Sequence, residues 1–98
     1  MKYLLTIAEN PKKRYMVITP ENKAIQFGSS EHENYTIHKD DDRKSAYLKR
    51  HKTREDWSDL NRAGTWSRWL LWNQKTLMGS IRDMEDRFGI NIIAKVKK

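Results

Sequence analysis

Three of the four tryptophans of this chain lie in one stretch, Ala63-Gly64-Thr65-Trp66-Ser67-Arg68-Trp69-Leu70-Leu71-Trp72-Asn73. Within it, Trp66, Trp69 and Leu70 follow the i, i+3, i+4 spacing that places side chains on one face of a helix. We expect Thr65 to cap the start of this helix through its hydroxyl, and Asn73 to end it in a left-handed turn. Because each tryptophan can bury roughly 150–250 Å², the helix should supply much of the core of a small domain.

Large apolar side chains around this helix outnumber the positions on its buried face. Leu71 and Trp72 lie off the main stripe, and Trp57 precedes the helix. Tryptophan and arginine are enriched at the energetic centres of protein interfaces. We therefore predict a surface that contacts another protein, formed by Trp57, Arg68, Leu71 and Trp72.

The first third of the chain has the alternating pattern of β-strands. Residues 2–8, 14–19 and 24–27 are predicted strands, and the two connections between them contain proline. Such short connections favour an antiparallel meander. Residues 28–34 have no periodicity and form a predicted loop, and residues 35–37 are a predicted short strand.

The rest of the chain has helical patterns and one final strand. Three consecutive aspartates, residues 40–42, suit the positive end of a helix dipole, so we expect a helix that continues through residues 43–52. A strongly amphipathic helix is indicated by apolar residues at i, i+4, i+7 and i+11, namely Leu77, Ile81, Met84 and Phe88. Gly89 is placed to end that helix, and residues 90–96 alternate like a half-buried strand. The predicted fold class is α+β, with a small antiparallel β-meander followed by two or three helices and a C-terminal strand.

Length and composition limit the class of protein. Ninety-eight residues suit one domain, residues 1–98, and there is no cysteine for a disulfide, a thiolate zinc site or a nucleophile. The apolar start of the chain ends at Glu9, too early for a signal peptide, and no apolar segment is long enough to span a membrane. A net charge of +7 and a pI near 9.8 predict attraction to polyanions, whether nucleic acid, acidic protein surfaces or anionic lipid.

Basic residues form three clusters along the sequence. One lies on the predicted helix 43–52 and its flanks, one lies at residues 12–14, and one is at the C-terminus. If folding brings two clusters to one face, they form a phosphate-binding patch; otherwise they are solvated surface. The predicted nucleic-acid contacts are Arg43, Lys44, Lys49, Arg50 and Lys52. Trp57 and Trp72 are either stacking platforms for bases or residues at the edge of the core.

The three histidines do not form a recognisable catalytic or metal-binding motif. His32 and His38 lie in predicted irregular structure without the spacing that converging zinc ligands need. His51 shares a helix face with Tyr47, so it is either a proton carrier or a core-edge side chain bonded to the backbone. The sequence has no glycine-rich phosphate loop and no nucleophile elbow. We expect no catalytic residue, no metal, no cofactor and no small-molecule substrate.

Six segments, which together cover most of residues 12–90, form a recognisable combination: Lys13-Arg14-Tyr15-Met16-Val17, Phe27-Gly28, Tyr35-Thr36-Ile37-His38, Arg43-Lys44-Ser45-Ala46-Tyr47-Leu48-Lys49-Arg50-His51, Ala63-Gly64-Thr65-Trp66-Ser67-Arg68-Trp69-Leu70-Leu71-Trp72 and Arg87-Phe88-Gly89. In these segments the sequence resembles a family of small uncharacterised proteins of giant DNA viruses and large phages. The resemblance implies a viral origin, and it brings no established activity, ligand or catalytic residue.

Two function hypotheses follow. In the first, the chain is a non-enzymatic viral structural protein, such as a minor capsid or cement component, which binds other viral structural proteins through its tryptophan-rich helix. In the second, it is a nucleic-acid-binding accessory protein that uses its basic helix. Both hypotheses put it in the virion or the host-cell cytoplasm, neither secreted nor bound to a membrane. A nuclease based on His51 is a third, less favoured option.

Overall fold

The computed structural model describes residues 2–53 and 55–96 of the chain. The strands are β1 (Lys2–Ile7), β2 (Lys13–Ile18), β3 (Ala24–Ser29) and β4 (Asn91–Ala94), and the α-helices are α1 (Tyr35–His38), α2 (Asp41–Lys52), α3 (Ala63–Trp66) and α4 (Leu77–Phe88). Helix α3 continues directly into one turn of π-helix, Ser67–Leu71, which we call the π turn. None of the helices in these two described ranges is long and apolar enough to cross a membrane.

The four strands form one mixed sheet in the order β3-β2-β1-β4. Strands β1, β2 and β3 pair antiparallel, as their short connections predict. Strand β4 pairs parallel to β1, with Tyr3 opposite Ile92. A parallel neighbour requires a long crossover, and the helices between β3 and β4 provide it. The predicted α+β fold is confirmed, and the last strand joins the sheet at the edge next to β1.

The core lies between one face of this sheet and the helices. Leu5, Val17 and Ile25 are directly opposite one another on neighbouring strands, and each is at most 6% exposed. The helical layer that packs with these strands contributes Trp66, Leu70, Leu71, Ile81 and Met84. The period-2 pattern of the strands and the helical stripe of α4 therefore meet in one apolar layer.

The π turn explains how two adjacent leucines are both buried. Trp72 donates its backbone N–H to the carbonyl of Ser67 at 3.2 Å, an i to i+5 bond that inserts an extra residue into the helix. Leu70 is 0% exposed and Leu71 is 1% exposed, although they would point in different directions on a regular α-helix. The wider turn brings both side chains to the core and ends at Trp72.

Some local predictions were wrong. Thr65 does not cap the tryptophan-rich helix, because that helix begins at Ala63; the Thr65 hydroxyl donates to the carbonyl of Asp56 at 3.1 Å. Asn73 lies beyond the end of the π turn. Residues 35–37 belong to helix α1 and not to a strand, because the Asn34 side chain accepts the N–H of Thr36 and caps that turn.

The starts of the two long helices and the end of α4 are marked by local caps. The Asp40 carboxylate accepts the N–H groups of Asp42 and Arg43 at the start of α2. At the start of α4 the Thr76 hydroxyl accepts the N–H of Gly79. The helix ends at Gly89, which has a left-handed backbone with φ 63°. Side-chain caps of this kind stabilise a helix by about 1 kcal/mol each, so local chemistry sets these boundaries.

The outer face of the sheet carries a row of apolar side chains. Ile93, Leu4, Ile18 and Ala24 are aligned across all four strands in the register of the sheet. Ile93 is 43% exposed, while Leu4 and Ile18 are half-buried. The four strands contain no aspartate or glutamate. The face opposite the core is therefore apolar at its centre and has no acidic residue on its strands.

We predict that Gly28→Ala lowers the free energy of unfolding by roughly 2–5 kcal/mol. Gly28 has φ +78°, and a Cβ there would lie 2.6 Å from Leu71 Cδ1. The left-handed backbone costs roughly 1–2 kcal/mol for alanine, and the overlap with a buried leucine adds roughly 1–3 kcal/mol. Gly89→Ala is the matched control, because Gly89 has φ +63° but no atom within 4 Å of a Cβ. Urea unfolding of both variants measures the difference; equal losses would contradict a tight contact with Leu71.

Candidate nucleic-acid interface

Charged and aromatic side chains surround a cleft of about 400 Å³. The loop that follows β3 forms one wall, and the C-terminal half of α2 and the start of α3 form the other. Its charged and titratable lining residues are Lys13, His32, Glu33, Arg50, His51 and Glu55. A cleft of this size is at the lower end of the range that holds small ligands.

The cleft continues along α2 as a second depression of about 340 Å³. The two share His32, Glu33, Arg50 and Trp72, and the second adds Arg43. The shared residues mean that the two depressions adjoin. We call the two together the α2 groove.

Three stacked rings stand beside the α2 groove. The Trp72 and Tyr47 ring centroids are 4.2 Å apart with an interplanar angle of 3°, and the Tyr47 and His51 centroids are 4.3 Å apart at 28°. Tyr47 and His51 are neighbours because they are four residues apart on α2. Burial raises the pKa of the Tyr47 phenol, so this ring is neutral at physiological pH. We call Trp72, Tyr47 and His51 the aromatic column.

A carboxylate holds the outer end of the column. His51 Nδ1 lies 3.5 Å from Glu55 Oε2, and the same oxygen accepts the indole N–H of Trp57 at 2.8 Å. The carboxylate also lies against the backbone of Gly64, where a Cβ would be 2.6 Å from Oε1. The His51 side chain is therefore stacked on Tyr47 and paired with Glu55. Within residues 2–53 and 55–96 it makes no hydrogen bond to the backbone that a core-edge histidine would make. In the described parts of the chain, no group of three or more His, Asp or Glu side chains is placed to hold a metal ion.

The five predicted nucleic-acid contacts lie on different sides of α2, and only two of them line the α2 groove. Arg43 and Arg50 line the α2 groove. With 3.6 residues per turn, Lys49 and Lys52 lie on the far side of α2 from Tyr47, and both are exposed. Lys44 is turned inward: its Nζ donates to the carbonyl of Asn73 at 2.7 Å and lies over the Tyr35 ring. Burial lowers the pKa of Lys44, so this lysine is a structural donor with little surface for a phosphate.

Folding brings two basic clusters together, which was the condition for a phosphate-binding patch. Lys13, the first residue of β2, lines the same cleft as Arg50 of α2. The sequence places Lys13 in a basic cluster but does not identify it as a site residue, because its distance from α2 depends on how the sheet packs against that helix. Of the C-terminal cluster, Lys97 and Lys98 lie outside the described residues.

The predicted protein-interface residues are largely covered by the chain itself. Arg68 lies with its guanidinium carbon 5.3 Å from the ring centroid of Trp57 and 4.1 Å from that of Trp69. Arg87 lies 4.1 Å from the centroid of Trp69. Arg68 therefore covers part of the Trp57 indole, which the sequence assigned to a partner, and both arginines cover Trp69. Trp57, Arg68 and Trp72 keep some exposed surface, and their contact with a partner stays a prediction.

Leu71 requires a correction. It was predicted to lie on the interface because it is off the apolar stripe of a regular helix. The π turn rotates it into the core, where it is 1% exposed, so Leu71 has no surface to offer another protein.

Comparison with known proteins gives one match. Residues 4–51, which are 48 of the 98 residues, match the model of a family described as Family of unknown function (DUF5754). The match includes the sheet meander and most of α2, with Arg43, Arg50 and His51, and it ends before the tryptophan-rich helix. No curated protein and no solved structure matches the chain. The match supports a domain of unknown function.

We predict that Asp83→Asn makes the stability of the protein less sensitive to acid. Asp83 accepts a hydrogen bond from Asn73 at 2.6 Å and pairs with Arg87 at 3.3 Å. Burial alone raises the pKa of Asp83, but these hydrogen bonds and the positive charges of Arg87 and Arg68 lower it below its ordinary value. Because an unfolded aspartate has a pKa of about 3.9, the stabilisation is complete above about pH 5 and is lost as the pH falls through the lower pKa of the folded state.

Urea unfolding at pH 6, 4 and 2.5 measures this effect. Asp86→Asn is the control, because Asp86 is exposed on the same helix. The wild type and Asp86→Asn should lose more stability on acidification than Asp83→Asn. Identical pH profiles for all three proteins would contradict the role given to Asp83.

Proposed function

We propose that the protein is a non-enzymatic nucleic-acid-binding protein, and that a nucleic-acid strand lies in the α2 groove. The observation that carries this proposal is the meeting of Lys13, Arg43 and Arg50 on one continuous groove beside the aromatic column. Basic side chains that follow a groove contact phosphates, and aromatic rings beside them interact with bases.

The cations of the groove are available to a ligand. Within residues 2–53 and 55–96, the side chains of Lys13 and Arg50 form neither an ion pair nor a hydrogen bond. Arg43 pairs with Glu33 at 3.6 Å, but both side chains are more than half exposed. Such a pair contributes little to stability, so Arg43 can exchange the carboxylate for a phosphate at small cost. The net charge of +7 adds long-range attraction to the strand.

The shape of the groove favours a single strand over a duplex. A cleft of about 400 Å³ admits one base or one sugar-phosphate unit, whereas a duplex would have to lie across its walls. Single-stranded binders combine a basic groove with aromatic rings, and their affinity depends strongly on salt. Under this proposal the protein acts on strands in the cytoplasm of an infected cell, in accordance with the viral origin that its sequence resemblance implies.

We predict that the double variant Arg43→Gln/Arg50→Gln binds a fluorescein-labelled single-stranded dodecamer about tenfold more weakly than the wild type, because two phosphate contacts are lost. The slope of log K against log salt concentration should fall in magnitude by about 1–2. Fluorescence anisotropy at several salt concentrations measures both quantities. A duplex of the same length should bind more weakly than the single strand.

The chain offers a matched control on the same helix. Lys49→Gln/Lys52→Gln removes the same charge from the far side of α2, so it should change the affinity less than about threefold. If the two double variants lose affinity equally, only net charge matters and the groove is not the site. If the wild type binds no strand at low salt, nucleic-acid binding itself is wrong.

A second candidate function is that of a virion component, and it is favoured by the outer face of the sheet. Ile93, Leu4 and Ile18 form an apolar row on this face, and Lys2 and Lys95 are exposed at its edges. An apolar centre with a basic rim fits a shell protein whose surface is apolar with an acidic rim. A second copy of this chain is disfavoured as occupant, because it would bring another basic rim to the contact.

We predict for this second candidate that mass spectrometry finds the chain in stoichiometric amounts in purified virus particles. Particles assembled with Ile93→Lys should contain much less of it, because a charge would enter the apolar contact. Particles assembled with Lys49→Glu should retain it, since Lys49 lies on α2 and not on the sheet. Absence of the wild-type chain from particles would exclude this candidate.

A further inference from the structure

We infer that one unpaired nucleobase carrying an exocyclic amino group stacks on His51, at the open end of the aromatic column, with its amino group toward Glu55. This inference rests on the proposed nucleic-acid binding and adds which part of the strand enters the cleft. It assigns phosphates to Lys13 and Arg50 and the base to His51 and Glu55, all four of which line the same cleft.

Among the described residues, His51 is the ring of the aromatic column that has a second ring on one side only. Trp72 has Tyr47 on one side at 4.2 Å and His38 at 5.3 Å between ring centroids. Tyr47 lies between Trp72 and His51 and is 7% exposed. The side chain of His51 is 38% exposed and lines the cleft. Because Tyr47 covers one face of the imidazole, the exposed surface lies toward the cleft, and a base placed there would extend the stack by one ring.

The ring is already held in place before a ligand arrives. Tyr47 stacks on its inner face, and Glu55 lies 3.5 Å from Nδ1. Glu55 is itself fixed by the indole N–H of Trp57 and by the close backbone of Gly64. A platform that is ordered in the free protein loses little side-chain entropy on binding.

The two carboxylates that line the basic cleft are suited to contact a base and not a phosphate. Glu33 and Glu55 would repel a phosphate, yet they line the cleft together with Lys13 and Arg50. Glu55 Oε2 accepts from Trp57, and in the described parts of the chain no hydrogen bond reaches Oε1. A carboxylate only accepts hydrogen bonds, so it pairs with the amino groups of cytosine, adenine or guanine and not with the O4 carbonyl of thymine.

The experiment compares three fluorescein-labelled dodecamers of equal charge: oligo-dC, oligo-dT and an abasic strand. Cytosine and thymine have rings of the same size, so a difference in affinity between oligo-dC and oligo-dT measures the effect of the amino group. The affinity for the abasic strand measures the phosphate contacts alone. We expect the wild type to bind oligo-dC at least about 5-fold more tightly than oligo-dT. Oligo-dT should in turn bind at least about 5-fold more tightly than the abasic strand, because base stacking is lost there.

Three variants separate stacking from hydrogen bonding. His51→Ala should lower affinity for oligo-dC and oligo-dT toward that for the abasic strand, while abasic binding is unchanged. His51→Phe keeps a ring for the base and should restore most of the lost affinity. Glu55→Gln keeps an acceptor for Trp57 but presents an amide, so it should abolish the preference for oligo-dC. Equal unfolding temperatures of His51→Phe and the wild type would show that the platform is intact.

The outcomes distinguish this inference from the proposal on which it rests. If the wild type binds all three strands equally, the groove contacts phosphates only and the base site is wrong, while nucleic-acid binding stands. If base preference persists in both His51→Ala and Glu55→Gln, the base stacks elsewhere and the inference is overturned. If no strand binds, both proposals fail.

Discussion

Burial of α3 and the π turn against the sheet is the contact on which the rest of the structure depends. Trp66, Leu70 and Leu71 are together almost completely enclosed, and each large side chain of this kind contributes roughly 1.5–3 kcal/mol when it leaves water. The extra residue in the turn brings both leucines to the core. As a consequence the next residue, Trp72, leaves the helix on the side that faces α2 and stacks on Tyr47.

The same contact organises the candidate site. Trp72 fixes Tyr47, Tyr47 fixes His51, and Glu55 joins His51 to the start of α3 through Gly64. The position of the core helices thus fixes the side chains of the α2 groove, because the aromatic column and Glu55 connect the two. Trp57 and Trp69, two indoles outside the groove, are covered by arginines. Arg68 lies 5.3 Å from the ring centroid of Trp57, and Arg68 and Arg87 both lie 4.1 Å from that of Trp69. A basic chain can hide aromatic surface with its own guanidinium groups, and a surplus of tryptophan therefore does not by itself require a partner.

Much of the fold could be predicted from the sequence where the signal was local. The strands, α2 and α4 were predicted from alternating or helical patterns, from the aspartates at residues 40–42 and from the terminator Gly89. The prediction failed at residues 35–37, where the β-like composition was overridden by the Asn34 cap. It failed also at Thr65, whose hydroxyl donates a hydrogen bond to the carbonyl of Asp56 and does not cap the start of the helix. In both places one side-chain hydrogen bond, which the sequence pattern does not show, decided the local structure against the predicted one.

The sequence by itself determined the α+β class, the basic character and the importance of the tryptophan-rich stretch, because these depend on composition and on contacts between near neighbours. Only the tertiary structure decided which cations meet. Lys13 and Arg50 are far apart in the chain and line one cleft, whereas Lys44 is turned inward and Lys49 lies on the far side of α2. The physical reason is that the side on which a helical residue lies follows from the packing of the helix, and α2 is oriented by Tyr47 stacking on a tryptophan 25 residues further along the chain. A contact between residues so far apart in the sequence cannot be predicted from a local pattern.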